Sequence, residues 1–176
     1  VPREAMRLVG RTEAPRLTTQ RTGEDMTGRM MTWAARRVVE LEKEGLCGFI
    51  FKSKSPSSGM ERVKVYNGRG GLSGRAPGMF AKTFMEHFPL LPVEYEGRLH
   101  DADLRENFIE RVFTLYRYRK TVAEQPSIGS LMTFHAQHKM LLMAHNQQNM
   151  REMGKLLAGG RKKDFKRLSA TYEEAL

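Results

Sequence analysis

Short apolar runs separated by polar turns dominate the first half of the chain, a pattern typical of strands joined by tight connections. Met6–Val9 and Arg16–Thr19 have the composition of strands. Apolar residues recur at helical spacing from Thr22 to Glu44, and the bulky run Gly48–Phe51 predicts a buried strand. Strand, helix and strand in this order predict a βαβ unit. We therefore expect a partial Rossmann-like parallel sheet.

The helix of this unit has sequence signals for its start, its buried face and its end. Thr22–Asp25 offer an N-cap and early acidic residues, and Gly45 offers a C-cap. Its expected buried stripe consists of Met26, Met30, Trp33, Ala34 and Leu41.

The segment that follows is expected to contain one more strand, a loop and a short helix. Val63 and Val65 alternate with basic residues, which predicts a half-exposed strand ending at the Asn67–Gly68 turn. Residues 67–78 are expected to form a flexible, basic loop, and a helix is predicted over 79–87 before an extended piece that ends near Gly97.

The second half of the chain is predicted to be all-α. Asp103 and Glu106 form a capping pair, and an apolar stripe then continues to Val122. Three further helices are expected, one from Ser127 or Ser130 through His145, one over 149–158 and one from Asp164. The fold class is therefore α/β followed by all-α.

Composition and charge restrict the functional classes. Cys47 is the single cysteine of the 176 residues, which excludes an internal disulfide and favours a reducing cytoplasm, with an inert buried thiol as its simplest role. No membrane span and no signal-peptide pattern occur, and Val1 opens the chain without methionine, which we interpret as a start inside a longer protein. The net charge of +10 favours a polyanionic partner such as nucleic acid, although solubility alone also explains it.

A hydroxyl-rich turn, "SKSPSSG" (53–59), follows the predicted strand at 48–51. Ligands of α/β sheets collect beyond the carboxyl ends of strands. Small residues there leave backbone N–H groups open, and Gly59 permits left-handed geometry. Lys52, Lys54 and Arg62 add positive potential. The turn is therefore either a ligand site or a surface connection.

Two helical segments carry candidate RNA-binding residues. In "YRYRK" (116–120), Arg117, Arg119 and Lys120 are interleaved with aromatic rings, a pattern that suits phosphate contact and base stacking. "GGRKKDFKR" (159–167) adds a second basic cluster or a solvated helix start.

A histidine stripe lies in "FHAQHKMLLMAH". The stripe consists of His135, His138 and His145, which fall near one helical face. These histidines could bind metal or phosphate beside Lys139, or they could be hydrogen-bonded core histidines. No carboxylate lies in the run to complete a metal set, so we predict no metal there.

Three long motifs resemble a bacterial two-domain family, in which a thiouracil-desulfurase-type domain precedes a YbgA-type helical domain: "GFIFKSKSPSSGMERVKVY", "FMEHFPLLPVEYEGRLHDADLRENFIERVF" and "FHAQHKMLLMAH". The resemblance implies a desulfurase-type part over 1–99 and an incomplete helical domain over 100–176. It also implies that the intact protein holds a four-iron iron–sulfur cluster on cysteines, with one iron open to take sulfur from thiolated uracil. The implied substrate is 4-thiouridine, including in tRNA, with the helical domain binding RNA.

Two departures from the family pattern qualify this resemblance. Ser58 stands where many relatives have cysteine in S-P-S-C-G, whereas Ser55 matches the family serine near the substrate. Two further family cysteines and an adjacent glutamate would lie upstream of Val1. Cys47 therefore becomes a ligand, or the cluster is held differently, or desulfurisation is lost. For these 176 residues alone we expect no cluster and no activity.

Three functions remain open from the sequence. The first is part of an iron–sulfur-dependent thiouridine desulfidase in which Ser55, Ser58 and Cys47 belong to the catalytic site. The second is a non-catalytic RNA-binding module derived from it. The third is an anion-binding protein that uses the serine turn. Oligomeric state is not predicted.

Overall fold

The computed structural model describes residues 4–160 and 165–176 and confirms an α/β region followed by a helical one. The chain divides into two units, Val1–Ile109 and Glu110–Leu176. The last helix is observed from Phe165. Its predicted start at Asp164 lies outside the described residues, as do residues 161–163 of the basic cluster 159–167.

The strands of the first unit form a four-stranded mixed sheet and a separate parallel pair. The mixed sheet has the order β2–β1–β4–β5, with β1 parallel to β4 and the other neighbours antiparallel. The second sheet pairs β3 with β6 in parallel. The strands are β1 Met6–Gly10, β2 Pro15–Thr19, β3 Phe49–Phe51, β4 Val63–Tyr66, β5 Leu72–Ala76 and β6 Val93–Tyr95.

Two expectations about the sheet are wrong. The predicted βαβ unit does not form, because β2 returns antiparallel along β1 while β3 lies in the other sheet. The expected loop 67–78 contains β5. The Asn67 side chain accepts hydrogen bonds from the N–H groups of Arg69 and Gly71, both at 2.9 Å, and so closes a hairpin that pairs β5 with β4.

The first helix, α1 (Thr27–Glu42), begins later than predicted because residues 22–25 turn back along the hairpin. The Met26 N–H donates a hydrogen bond of 2.8 Å to the Leu17 carbonyl. Asp25 rather than Thr22 then accepts from the Thr27 N–H, at 2.9 Å. The predicted burial of Trp33 is wrong. The side chain is 42% exposed at the edge of the stripe, with its ring 5.2 Å from Phe80. The C-cap is Lys43 rather than the predicted Gly45, which follows two residues later with φ +64°.

Helix α2 (Met79–His87) has the predicted bounds and packs against α1. Its buried face meets β3 in an aromatic cluster, in which Phe84 is completely buried. The rings within 4.3–5.8 Å of Phe84 are those of Phe49, Phe51, Phe80 and Phe88. The other face of the core lies between the mixed sheet and the methionines of α1 and α2.

The helical region contains α3 Ala102–Tyr118, α4 Ile128–His145, α5 Gln147–Gly159 and α6 Phe165–Ala175, with a π-helical extension of α3 over 119–123. Of the two predicted starts of α4, the structure has Ser127 as the N-cap, and Ser130 completes a capping box with it. The capping pair predicted for α3 is wrong, since Asp101 accepts from the N–H groups of residues 103 and 104. None of the helices in the described ranges is long and apolar enough to cross a bilayer.

Candidate functional site

A cleft of about 540 Å³ lies in the first unit. One wall is the outer face of the mixed sheet, and the other is the loop that follows β3, represented by Ser53, Lys54, Pro56 and Arg62. Tyr95 at the end of β6 completes the lining. The cleft therefore lies beyond the carboxyl ends of the parallel pair β3 and β6, where ligands of such sheets collect.

Glu96 joins the two strand ends beside this cleft. Its carboxylate lies 2.9 Å from Lys52 Nζ and accepts a hydrogen bond of 3.1 Å from Ser53 Oγ. The hydrogen bond from Lys52, with a further one from Ser53, lowers the pKa of Glu96, so this carboxylate stays ionised. Sequence reasoning missed Glu96, because only the pairing of Phe51 with Tyr95 brings it to Lys52.

Ser55 organises the serine turn. Its Oγ accepts from the Ser58 N–H at 3.2 Å and lies 3.1 Å from Ser57 Oγ, and its carbonyl accepts from the Gly59 N–H at 2.8 Å. Ser55 is half-buried between two residues that line the cleft. The expectation of open N–H groups is therefore wrong for Ser58 and Gly59.

The turn also caps helix α2. The carbonyls of Pro56 and Ser57 accept from the N–H groups of Met79 and Ala81 at 3.2 and 3.1 Å. Gly78 donates to the Gly59 carbonyl at 2.8 Å. Two of the donors that a helix start leaves unpaired are thus satisfied by the turn. The docking fixes the loop wall of the cleft on the aromatic core.

Left-handed geometry occurs at both ends of the loop rather than at Gly59. Lys54 and Arg62 each have φ +57°, and both line the cleft. Such a conformation costs an L-residue about 1–2 kcal/mol and is common at functional sites. Gly59 is required for a different reason, since a Cβ there would collide with Val63 Cγ2 and lie 2.6 Å from the Ser55 carbonyl oxygen.

Comparison with known families decides the identity of the first unit. The family model for 2-thiouracil desulfurase matches residues 1–96. The chain belongs to this family. A second model, for a protein of unknown function (DUF1722), matches residues 139–176, so the desulfurase and YbgA-type resemblance is confirmed in both parts. No curated protein and no solved structure matches the chain.

The part of the chain that the structure describes does not provide the ligand set of an iron–sulfur cluster. Cys47 precedes β3, with Sγ 3.7 Å from the Gly45 carbonyl, whereas Ser58 follows the strand. Cys47 and the serine turn therefore lie at opposite ends of β3, whose three extended residues span about 10 Å. Among the described residues, no three His, Cys, Asp or Glu side chains are grouped to hold a metal ion. The assignment of Ser55, Ser58 and Cys47 to a catalytic site stays a prediction.

We therefore predict that these 176 residues bind no cluster. Anaerobic reconstitution with ferrous iron and sulfide, followed by desalting, should leave no stoichiometric iron, because one thiol cannot replace the several thiolates that a cluster needs. Cys47→Ser should leave the retained iron unchanged. About four iron atoms per chain, lost in Cys47→Ser, would contradict the prediction.

The histidine stripe is dispersed among separate partners in the helical unit. His135 Nδ1 lies 3.0 Å from the Tyr172 hydroxyl, and His138 Nδ1 lies 2.9 Å from the Phe134 carbonyl. His145 Nε2 lies 2.9 Å from Glu110. His138 is buried, so its interactions are those of a core histidine. Contact of RNA with His135, His138, His145 and the exposed Lys139 stays a prediction.

His135 should make the helical unit acid-sensitive. Burial, with a smaller effect of Lys139, lowers the pKa of this imidazole from its ordinary 6.5. As the pH falls below about 6.5, the unfolded chain therefore takes up a proton that the folded unit resists, and stability falls. Urea unfolding followed by circular dichroism at about pH 7 and about pH 5 should show the loss, and His135→Gln should reduce it. An equal loss in both proteins would show that other groups cause it.

The "YRYRK" segment divides between core and surface. The Tyr118 hydroxyl donates to the Ser169 carbonyl at 3.1 Å inside the helical unit. Tyr116, Arg117 and Lys120 are exposed, with the Lys120 ammonium 6.0 Å from the centre of the Tyr116 ring. Arg117 lies 5.8 Å from the Phe113 ring, which is also exposed. Cations and rings thus share a surface that suits polynucleotide contact.

Serines 55 and 58 should differ in their effect on stability. Ser55→Ala removes the acceptor of the Ser58 N–H and should cost about 1 kcal/mol. Ser58→Ala is the matched control, because its hydroxyl bonds no other described residue, and should change stability by less than about 0.5 kcal/mol. Urea unfolding followed by the fluorescence of Trp33 measures both; the reverse order would refute the assigned roles.

Proposed function

We propose that the cleft beyond β3 and β6 binds a thiolated uracil, and that the protein takes part in removing its sulfur. The observation that carries this is the family match over 1–96, which contains every residue that lines the cleft. The volume of about 540 Å³ is in the usual range of small-molecule sites. Substrates within this class are the nucleobase, 4-thiouridine, and 4-thiouridine in tRNA.

The lining offers both contacts that a pyrimidine needs. The rings of Tyr66 and Tyr95 provide aromatic surfaces against which a planar base can stack. Lys54 provides an ammonium donor for the carbonyl and thiocarbonyl groups, and the Ser53 hydroxyl, which donates its proton to Glu96, provides an acceptor for the ring N–H. Ser55 acts behind them as the residue that holds the turn in shape. These residues bind and orient a base, and the described residues supply no metal chemistry of their own.

Comparison of 4-thiouridine with uridine by isothermal titration calorimetry tests this proposal. We expect tighter binding of 4-thiouridine, and a loss of about tenfold when Tyr95→Leu removes a stacking surface. Tyr116→Leu, an exposed ring of the helical unit, is the matched control and should bind like the unsubstituted chain. Equal affinity for the two nucleosides, or an equal loss in both variants, would refute the proposal.

A second candidate function is a non-catalytic RNA-binding module, favoured by Ser58 at a family cysteine position and by the single thiol. Its proposed contacts are Arg117, Arg119 and Lys120, together with Lys52, Lys54 and Arg62. Binding to tRNA should then weaken steeply with salt and should not depend on the thiocarbonyl group. Preference for 4-thiouridine-containing tRNA over unmodified tRNA distinguishes the first function from the second.

A further inference from the structure

A row of three cations crosses the outer face of the mixed sheet. Lys64 of β4 is the direct register partner of Arg75 of β5. Leu8 of β1 pairs with Val65 of β4, so the residues before them, Arg7 and Lys64, are also neighbours. Since alternate residues of a strand point to opposite faces, the three cations lie on the face opposite the buried Leu8 and Val65. We call Arg7, Lys64 and Arg75 the cation row.

No described carboxylate neutralises the cation row. Within the described ranges, none of its members forms an ion pair with a carboxylate, in contrast to Lys52 and Lys120. The Nε atom of Arg7 is buried and lacks a hydrogen-bond partner among the described residues, and its guanidinium carbon lies 6.0 Å from the centre of the Tyr66 ring. Like charges at directly opposed strand positions destabilise a sheet. An anion bound across the row would remove this repulsion.

The row faces the same cleft as the loop wall. Arg7, Lys64 and Arg75 all line it, and Lys54 and Arg62 add two cations from the other side. Glu61 is the acidic residue in the lining, and its carboxylate lies 3.7 Å from Arg62 Nε rather than beside the row. The cleft therefore combines aromatic surface with an excess of positive charge.

We propose that the cation row binds the phosphate of the ligand that occupies the cleft. This inference rests on the proposed function, because it places the phosphate and the uracil of one ligand in one cleft. Guanidinium groups bind phosphate through paired charge-assisted hydrogen bonds, and the adjacent ammonium adds a point charge. The serine turn has fewer donors to offer an anion, since the N–H groups of Ser58 and Gly59 are already bonded.

Four ligands separate the phosphate effect from the sulfur effect: uridine, 4-thiouridine and their 5′-monophosphates. Calorimetric titration should show that the phosphate raises affinity roughly tenfold or more for both bases. Lys64→Gln and Arg75→Gln should each remove most of this gain and should weaken nucleoside binding much less. Arg69→Gln is the matched control, because it removes the same charge from the turn of the same hairpin but lies outside the cleft lining.

The outcomes distinguish the two proposals. A phosphate gain without a preference for sulfur would support the cation row and refute the proposed function. A sulfur preference without a phosphate gain would refute the cation row alone, and so would equal losses in Arg69→Gln and Arg75→Gln. Affinity for the monophosphate should also fall as salt rises in the unsubstituted chain, and no salt dependence would overturn the inference independently of any variant.

A phosphate monoester and an RNA phosphodiester would bind the row by the same chemistry. Competition of a short oligouridylate against uridine 5′-monophosphate distinguishes these sources. Stronger competition per molecule by the oligouridylate, lost in Lys64→Gln, assigns the row to a polynucleotide backbone. Equal or weaker competition that is lost in the same variant assigns it to a nucleotide 5′-phosphate. If oligouridylate still competes in both Lys64→Gln and Arg75→Gln, the cation row does not bind its phosphates.

Discussion

Phe84→Ala should lower the free energy of unfolding of the first unit by about 3–5 kcal/mol. The side chain is completely buried, and its ring lies 4.3 Å from that of Phe49 and 5.4 Å from that of Phe51. Truncation leaves a cavity between α2 and β3 that flat rings cannot fill by small movements. Urea unfolding followed by tryptophan fluorescence reports on this unit selectively, because Trp33 is the one tryptophan of the chain and packs on Phe80.

Leu90→Ala is the control for this variant. Leu90 lies shortly after α2 and is 43% exposed, so its truncation should change stability by less than about 0.5 kcal/mol. Similar losses in the two variants would mean that the aromatic cluster is not the core of the first unit.

Gly78→Ala should destabilise the first unit by about 1–3 kcal/mol and should also impair ligand binding in the cleft. A Cβ at this position would lie 2.5 Å from the Ser57 carbonyl oxygen and 2.6 Å from its carbon. Both are backbone atoms, so no side-chain rotation relieves the collision. The serine turn would have to move off the start of α2, and the loop wall would move with it.

Gly28→Ala tests whether this effect is local. Gly28 lies in the first turn of α1, and nothing lies within 4 Å of the Cβ that alanine would add. Alanine there should stabilise the unit by about 0.5–1 kcal/mol and leave ligand binding unchanged. If Gly78→Ala retained full stability and full affinity, the docking of the turn on α2 would not support the cleft.

Local sequence patterns were sufficient to predict α2 and β4. Helix α2 follows a glycine and has apolar residues at helical spacing, and β4 alternates cleanly up to its Asn-Gly turn. β5 was missed because "LSGRA" has no strand composition, and its strand forms through pairing with β4. The split of the strands into two sheets depends on the β1–β2 hairpin, which no local pattern distinguishes from a connection into a βαβ unit.

The candidate site shows the same limit. The serine turn was predicted correctly at the end of β3. Its N–H groups were expected to be open, but the Ser55 hydroxyl and the Ser55 carbonyl accept hydrogen bonds from those of Ser58 and Gly59. Arg7, Lys64 and Arg75 lie in three separate segments, so strand register alone reveals them as one row. The sequence predicted Lys64 as a basic residue of an alternating strand, but it did not predict which residues lie beside it in the sheet.

Photo-crosslinking tests most directly whether the cleft of the first unit holds a thiolated pyrimidine. Near-ultraviolet light activates the thiocarbonyl of 4-thiouridine 5′-monophosphate, which then bonds covalently to residues in contact with the base. Peptide mass spectrometry should place the adduct within residues 53–66 or on Tyr95, and excess uridine 5′-monophosphate should suppress it. Adducts confined to residues 110–176, or undiminished by the competitor, would contradict the account.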